Sequence, residues 1–239
     1  KFSNNYIDEG FAILDEDLNV IKTFSLTDIF LKSGLGNYIF STNIKVPFHL
    51  NDVVPLNDPN ETNVVLMSIR SMSSIISYNI KSGKILWILS GYGNRQHDVD
   101  IVNDNGSYIS IFDNNVNKGK YSKLNYFTTI KNLPINKEYP LLIFNYKSNH
   151  KIELDLEVNR ENFNFLSDKN KPKTITSGQS EYLPKNNSVF IEESNYGRSF
   201  EYDKKNKKLL WQYINRNDKK DLYFMKFWSR RLEKLPTFF

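Results

Sequence analysis

The chain has 239 residues, no cysteine and a net charge of +5, and its lysines are scattered among Asn and Asp. The absence of cysteine excludes disulfides and thiolate chemistry, and the scattered charge lacks the basic stripe of a nucleic-acid-binding protein. Aromatic residues are 14% of the chain and Val, Ile and Thr are plentiful, which favours packed strands, while no apolar run reaches the length of a membrane span.

A hairpin pattern recurs four times along the chain. The weak first copy, DEDLNVIKTF, begins at Asp15, and the strong second copy, YNIKSGKILW, begins at Tyr78. A weak third copy begins at Tyr146, and the strong fourth copy, YDKKNKKLLW, begins at Tyr202. Each copy is typical of a strand, a tight turn and a second strand. Because the centres lie near residues 15, 79, 146 and 203, the chain repeats about every sixty residues.

A second pair of strands is predicted between successive hairpins, in the segments 52–70, 98–114 and 180–194. Each segment runs from a short apolar strand through a polar turn into another strand. Each repeat thus supplies four antiparallel strands, which is the make-up of a β-propeller blade. A two-sheet sandwich is the alternative, but it does not predict a tandem repeat with matching aromatic positions. We therefore predict an all-β propeller.

The repeats place the propeller in residues 1–220, with a partial N-terminal blade and whole blades near 49–91, 97–158 and 177–216. Propellers typically close with about four to eight blades, so we expect this chain to be the C-terminal part of a longer propeller. The segment 221–239 departs from the blade pattern. Its aromatic and basic residues favour a short helix or an arm that packs on the propeller.

Two of the three histidines fall at related points of the repeat. Alignment of the inner strands on their apolar pairs puts His49, His97 and Gly178 at one position. The innermost strand of a blade lines the central channel, so both histidines are predicted to converge at one mouth of the channel. Strand capping is the alternative role for each histidine, but two at matching positions favour a polar site. His150 falls in an outer turn and is predicted to be exposed.

Polar neighbours extend the predicted site. Asn51 and Gln96 place amides next to the two histidines, and Arg70 ends a second strand with a fixed positive charge. A surface cation is the alternative role for Arg70. The predicted site therefore combines imidazole, amide and guanidinium groups.

Several segments taken together resemble the arylsulfotransferase family. The resemblance rests on HLNDV at 49–53, GKILW at 83–87, and QHDV at 96–99 followed by FDN at 112–114, and it covers roughly residues 11–216. Members of that family are six-bladed propellers that move a sulfuryl group from an aryl sulfate to a phenol without a nucleotide donor. The resemblance implies a nucleotide-independent aryl-sulfate sulfotransferase with a sulfohistidine intermediate.

The resemblance also implies a role for each predicted site residue. His97 is the residue that is transiently sulfated. His49, Asn51 and Arg70 bind the sulfuryl oxygens, and Gln96 belongs to the substrate-binding set. A neutral imidazole suits this reaction because it attacks sulfur and splits one difficult transfer into two easier steps.

Two positions of the family pattern have no single counterpart here. The family places a histidine in a Gly-His-Asp setting on an earlier blade, and residues 1–48 contain none. A later threonine position has three candidates, Thr176, Ser177 and Ser180, among which the sequence does not choose.

The expected partners are a small aryl sulfate donor and a phenolic acceptor, with no cofactor, metal, nucleic acid or membrane span. The resemblance implies a periplasmic or extracellular location. The alternative from another functional class is a non-catalytic propeller that binds an anionic small molecule, a glycan or a protein. A covalent intermediate discriminates between the two, because the binding module forms none.

Overall fold

The computed structural model describes residues 6–40, 45–56, 63–90, 93–101, 108–114, 123–128, 141–143, 158–161, 174, 176–217, 222–225 and 229. The hairpin predicted near residue 146, His150 and most of the segment 221–239 lie outside the described residues.

The first elements are a hairpin and two helices, namely β1 (Gly10–Leu14), β2 (Val20–Ser25), α1 (Leu26–Lys32) and α2 (Gly36–Phe40). Gly10 lies opposite Ser25, which confirms the hairpin predicted near residue 15. The strand pattern did not predict the helices. Ser25 caps α1 because its hydroxyl accepts a hydrogen bond from the backbone N–H of Asp28. Ile29 and Phe30 then bury one face of α1 against the first blade.

Three antiparallel sheets follow, each with its strands hydrogen-bonded in chain order. The first sheet consists of β3 (Leu50–Pro55), β4 (Val64–Ile69), β5 (Ser74–Asn79) and β6 (Lys84–Ser90). The second consists of β7 (His97–Ile101), β8 (Tyr108–Asp113), β9 (Lys123–Thr128) and, after the short β10 (Leu141–Ile143), β11 (Val158–Glu161). The third consists of β12 (Gln179–Leu183), β13 (Ser188–Glu193), β14 (Arg198–Asp203) and β15 (Lys208–Ile214).

Two short pairings lie outside this pattern. β10 pairs parallel with β6 and adds a fifth strand to the first sheet. β16 (Arg216–Asn217) pairs antiparallel with β17 (Leu222–Tyr223) after the third sheet. The sequence pattern predicted neither pairing.

Apolar residues fill the spaces between successive sheets. The cluster between the first and second sheets contains Leu66, Ile75, Trp87, Val99, Ile109 and Ile111. The cluster between the second and third contains Phe112, Val189, Ile191, Phe200 and Tyr202. Because the inner strands β3, β7 and β12 also adjoin one another, the sheets are stacked blades and not the two layers of a sandwich. The predicted all-β propeller fold is confirmed.

Candidate functional site

The inner strands set the position of each site residue. The backbone N–H of Val99 in β7 donates to the Oδ2 atom of Asp52 in β3 at 2.9 Å. The backbone N–H of Ser180 in β12 donates to the Oδ2 atom of Asp98 in β7 at 2.6 Å. Each of these two bonds joins the inner strand of one blade to the inner strand of the next.

The predicted equivalence of His49 and His97 is wrong. The hydrogen-bond register shifts near the start of both β3 and β7. Just before the shift, Leu50 pairs with Ile69 in the first blade and His97 pairs with Phe112 in the second, so Leu50 and not His49 holds the strand position of His97. The alignment on apolar pairs was therefore one residue out of register.

Both histidines nevertheless line one cavity of about 230 Å³ at the leading ends of the inner strands. Its wall includes His49, Asn51, Asp52, His97, Asp98, Glu192 and the segment 176–179. Of the residues predicted for the site, His49, His97 and Asn51 thus lie on one wall, while Arg70 and Gln96 are not part of the lining. The structure brings the two histidines together even though their strand positions differ.

Asn114 fixes the tautomer of His97. The Oδ1 atom of Asn114 lies 2.6 Å from Nδ1 of His97. The Nδ2 atom of Asn114 donates to the carbonyl oxygens of Thr174 at 3.0 Å and Ser177 at 3.1 Å. Carbonyl oxygens only accept, so these two bonds assign the nitrogen end of the amide and turn its oxygen toward the ring. Nδ1 of His97 therefore carries the proton, and Nε2 keeps a free lone pair.

Burial keeps the His97 ring neutral. The residue is 7% exposed, and its pKa is lowered to about 4. Burial is the largest cause; the contact with Asn114 opposes it, and the positive charges of Arg70 and His49 lower the pKa further. A neutral, oriented imidazole on the wall of a cavity has the form that a nitrogen nucleophile requires.

Positive charge accumulates beside the two histidines. The backbone N–H of Arg70 donates to the carbonyl oxygen of His49 at 3.1 Å. The pKa of His49 is lowered, mainly by burial and then by the charge of Arg70. The charge of Glu9 opposes this shift, and that of Arg95 adds to it. The Nε–H of Arg70 is buried and has no hydrogen-bond partner among the described residues. Arg95 also lies close enough to lower the pKa of Arg70. An unused guanidinium donor beside a second arginine favours an anion.

Gln96 uses its amide to join two blades. It is fully buried, and its Nε2 donates to the carbonyl oxygens of Ile69 at 3.3 Å and Ser74 at 3.0 Å. The backbone carbonyl oxygen of Gln96 accepts a hydrogen bond from Nδ2 of Asn51 at 2.8 Å. These bonds fix the backbone just before His97 and orient the amide of Asn51. A direct contact of Gln96 with substrate stays a prediction.

The segment 176–179 closes the other side of the cavity. Of the three candidates for the later threonine position, Thr176 and Ser177 line the cavity, whereas Ser180 is not part of the lining. Gly178 has φ 145°, and a Cβ atom there would lie 2.4 Å from the ring of Phe112. The segment can therefore pack against the second blade only because a glycine stands at this position.

The carboxylates of the cavity are largely engaged. Asp52 and Asp98 each accept a backbone N–H of the next blade. Both oxygens of Glu192 accept hydrogen bonds, from the Ser194 hydroxyl at 2.7 Å and the Ser229 backbone N–H at 2.6 Å. The carboxylates of the cavity wall are thus hydrogen-bonded to the protein itself.

A family comparison identifies the chain. The arylsulfotransferase (ASST) family model matches residues 3–216. The chain belongs to the arylsulfotransferase (ASST) family. The match includes both histidines of the cavity, together with Asn51, Arg70 and Asn114, so the residues that line the cavity all lie inside the arylsulfotransferase region.

Comparisons with solved structures and with curated proteins assign no function. The chain is similar to the β-propeller domain of Cps50 (Swd1) from Myceliophteria thermophila, with a TM-score of 0.45 and 8% identity over 82% of this chain. It covers 49% of that domain, about half its length. A search of curated proteins returned no match. The assignment to the arylsulfotransferase family rests on the family model.

Two residues of the site were missed by the sequence reasoning. Asn114 stands within the FDN element, but its role depends on a contact 17 residues away in the chain. Arg95 directly precedes Gln96, but its effect on His49 appears only once the blades are stacked. Among the described residues, no group of acidic or histidine side chains is arranged to hold a metal ion, and no helix could span a membrane.

Replacement of Asp98 by Asn is expected to stabilise the protein. Asp98 is partly exposed as a residue, but its carboxyl group is enclosed. Burial raises the pKa of this carboxyl well above 3.8, and the nearby carboxylates of Asp100, Asp52 and Glu181 raise it further. Asn keeps an oxygen for the N–H of Ser180 and tolerates the positive φ of 54°. We expect a gain in the free energy of unfolding on the order of 1 kcal/mol at neutral pH.

Thermal melting of the Asp98→Asn variant across pH tests this expectation. A raised folded-state pKa means that ionisation penalises the folded state, and the penalty grows as the pH rises above 3.8. The stabilisation should therefore be largest at neutral pH and disappear near pH 3.8. An equal gain at both pH values would show that charge is not its cause.

Proposed function

We propose that the chain carries a sulfuryl group on Nε2 of His97 during transfer from an aryl sulfate to a phenol. The observation that supports this most directly is the bond between Asn114 and Nδ1 of His97, because it leaves a neutral ring with its lone pair on the other nitrogen. Membership of the arylsulfotransferase family supplies the reaction class. The donor, the acceptor and the covalent intermediate belong to the proposal.

The first step forms one bond and breaks one. The Nε2 lone pair of His97 attacks sulfur, and the S–O bond to the aryl ring breaks, so that a phenolate leaves with the bonding electron pair. Nδ1 keeps its proton, and Asn114 stabilises the positive charge that the sulfated ring acquires. In the second step, the acceptor oxygen attacks sulfur, the N–S electron pair returns to Nε2, and the acceptor proton is released to solvent.

The cations beside His97 bind the sulfuryl oxygens in this proposal. Arg70 has a buried Nε–H with no partner in the part of the chain that the structure describes, and its charge acts on both histidines. His49 and Asn51 lie on the cavity wall with His97. One N–H of the Asn51 amide donates to the backbone of Gln96, so its second N–H is the one left for a sulfuryl oxygen. Donors that are already oriented stabilise the charge that builds up as the phenolate leaves.

The size of the cavity favours small substrates. A volume of about 230 Å³ lies below the roughly 300–1,000 Å³ usual for sites that bind drug-sized ligands. A single aromatic ring with one sulfate group is therefore the substrate class that we propose. By family membership, we also propose a periplasmic or extracellular location.

Direct detection of the intermediate tests the proposed function. The full chain is incubated with 4-nitrophenyl sulfate, digested at alkaline pH to preserve an N–S bond, and analysed by mass spectrometry. We expect release of the phenol and a sulfuryl group on the peptide that contains His97, with no label in a His97→Asn variant. Neither label nor phenol release from folded protein, with several aryl sulfates, would favour the non-catalytic binding module instead.

The pH dependence of the reaction is expected to follow His97. Its folded-state pKa of about 4 means that the ring stays neutral well below its ordinary value of 6.5. We therefore expect kcat/KM to be constant from neutral pH to about pH 5 and to fall only with an apparent pKa near 4. Initial rates of phenol release, quenched in base, measure this profile. A fall centred on 6.5 would mean that the nucleophile is solvated or is a different residue.

A further inference from the structure

A second cavity lies at the far end of the first blade. The turn between β4 and β5 faces the histidine cavity, whereas the turn between β5 and β6 lies at the opposite ends of the same strands. This second cavity has a volume of about 290 Å³ and is formed by β2, α1 and the β5–β6 turn. We call it the lysine pocket, and define it by Lys22, Phe24, Lys32, Tyr78 and Lys81.

Uncompensated positive charge is the first feature of the lysine pocket. Its three lysines face a single carboxylate, and that carboxylate, Asp28, pairs with Lys32 at 3.2 Å. Lys22 lies over the ring of Phe24, with its Nζ 4.8 Å from the ring centre. Within the ranges that the structure describes, neither Lys22 nor Lys81 has a carboxylate partner. Two ammonium groups are thus available to an anion.

A pair of packed aromatic rings, Phe24 and Tyr78, is the second feature. The ring of Phe24 stacks on Phe11 at 4.6 Å and meets the ring of Tyr78 edge-on at 6.1 Å. These contacts fix two aromatic surfaces beneath the lysines, and Ile29 and Ile80 extend the apolar lining. Such surfaces favour an aromatic ligand, because rings pack in stacked and edge-on geometries.

The hydroxyl of Tyr78 is the third feature. Tyr78 is 5% exposed, and its hydroxyl has no hydrogen-bond partner among the described residues. Gly83 leaves space beside it, since a Cβ atom there would lie 3.9 Å from the hydroxyl oxygen. Burial raises the pKa of Tyr78, with Lys32 opposing, so the hydroxyl keeps its proton and can donate it to a ligand.

We propose that the lysine pocket binds a one-ring aromatic anion, with its ring against Tyr78 and Ile80 and its acidic group between Lys22 and Lys81. The volume suits one ring, being close to the lower limit of roughly 300 Å³ for sites that bind drug-sized ligands. The proposal does not rest on the reaction at His97, because the two cavities lie at opposite ends of the blade.

Titration of the full chain with 4-fluorobenzenesulfonate, followed by ¹⁹F NMR, tests the proposal. Its sulfur is bonded to carbon, so no sulfuryl transfer can occur. The titration is carried out on a His97→Asn background, and amide shifts of Ser82 and Gly83 report whether the ligand is in the lysine pocket. 4-Fluorobenzoate distinguishes a carboxylate from a sulfonate preference, and 4-fluorobenzyl alcohol is the neutral control.

The variants separate the pocket from general surface charge. We expect Lys22→Gln with Lys81→Gln to weaken binding by at least about tenfold, since two charges that contact the anion are removed. Lys84→Gln with Lys208→Gln removes the same net charge from exposed positions outside the pocket and should leave the affinity within about twofold. Tyr78→Phe keeps the ring and removes the hydroxyl, and should weaken binding by several-fold.

Each outcome decides the proposal. Saturable binding of the sulfonate, the benzoate or both, with shifts at Ser82 and Gly83, supports the pocket and identifies the preferred acidic group. Equal affinity for the neutral alcohol, unchanged affinity in the Lys22 and Lys81 variant, or no saturable binding overturns it. None of these results bears on the sulfohistidine proposal, because that background lacks His97.

Discussion

Replacement of His97 by Asn is expected to lower the rate of phenol release from an aryl sulfate by at least about a thousandfold. Asn is polar and smaller than His, but its amide nitrogen is not a nucleophile, so no covalent intermediate can form. Because His97 is only 7% exposed, a group on the protein surface cannot easily reach its position and act as the nucleophile instead. Steady-state kinetics with 4-nitrophenyl sulfate measure the loss.

A matched variant at His49 distinguishes a nucleophile from a binding group. His49→Asn retains His97 and removes one donor from the cavity wall, so we expect a loss of only about ten- to a hundredfold. Equal losses in the two variants would contradict the assignment of the nucleophile to His97. Formation of a sulfated peptide in the His97→Asn variant would contradict it outright.

Stability against pH provides the folding control for the His97→Asn variant. The folded-state pKa of His97, about 4, lies below its ordinary value of 6.5. The wild-type chain therefore loses stability as the pH falls from 6.5 through 4, because the unfolded state binds a proton that the folded state does not. The variant lacks this titrating group. Its melting temperature should therefore fall less than that of the wild type between neutral pH and pH 4.

The fold was predictable because its signals are local and repeated. The hairpins at Tyr78 and Tyr202 set the repeat, and the pairing of Tyr78 with Ile85 and of Tyr202 with Leu209 has the same register in both blades. The helix α1 was missed because its seven residues are too few to show a helical period against a background of strands. Its cap, Ser25 to Asp28, was the available signal.

The composition of the cavity was predictable in part, and its geometry was not. The convergence of His49 and His97 follows from their places near strand starts, and the structure puts both on one wall. The wrong equivalence came from aligning β3 and β7 one residue out of register, because short apolar pairs alone do not fix the register of a strand. The role of Asn114 depends on the loop that carries Thr174 and Ser177, which is distant in sequence.

Replacement of Asn114 by Leu is expected to lower kcat by about a hundredfold while His97 remains in place. Leu offers no acceptor to Nδ1, so the ring is no longer held in the tautomer with a free Nε2, and the charge of the sulfated ring loses its partner. The hydrogen bond to Asn114 also raises the pKa of His97, so its loss should move the acid limb of the pH profile lower still. ¹⁵N NMR of the His97 ring reports the tautomer directly.

Asn195→Leu is the matched control, because Asn195 bonds to the same loop, whereas Nδ1 of His97 bonds to Asn114. Its Oδ1 atom accepts bonds from the Thr174 hydroxyl at 2.6 Å and the Thr176 backbone at 3.1 Å. If Asn114 acts only by holding this loop, both variants will lose activity alike, and neither will change the tautomer or the acid limb. If Asn114 positions the nucleophile, only Asn114→Leu will change them. The second result is expected, since Asn114 is bonded to the ring itself as well as to the loop.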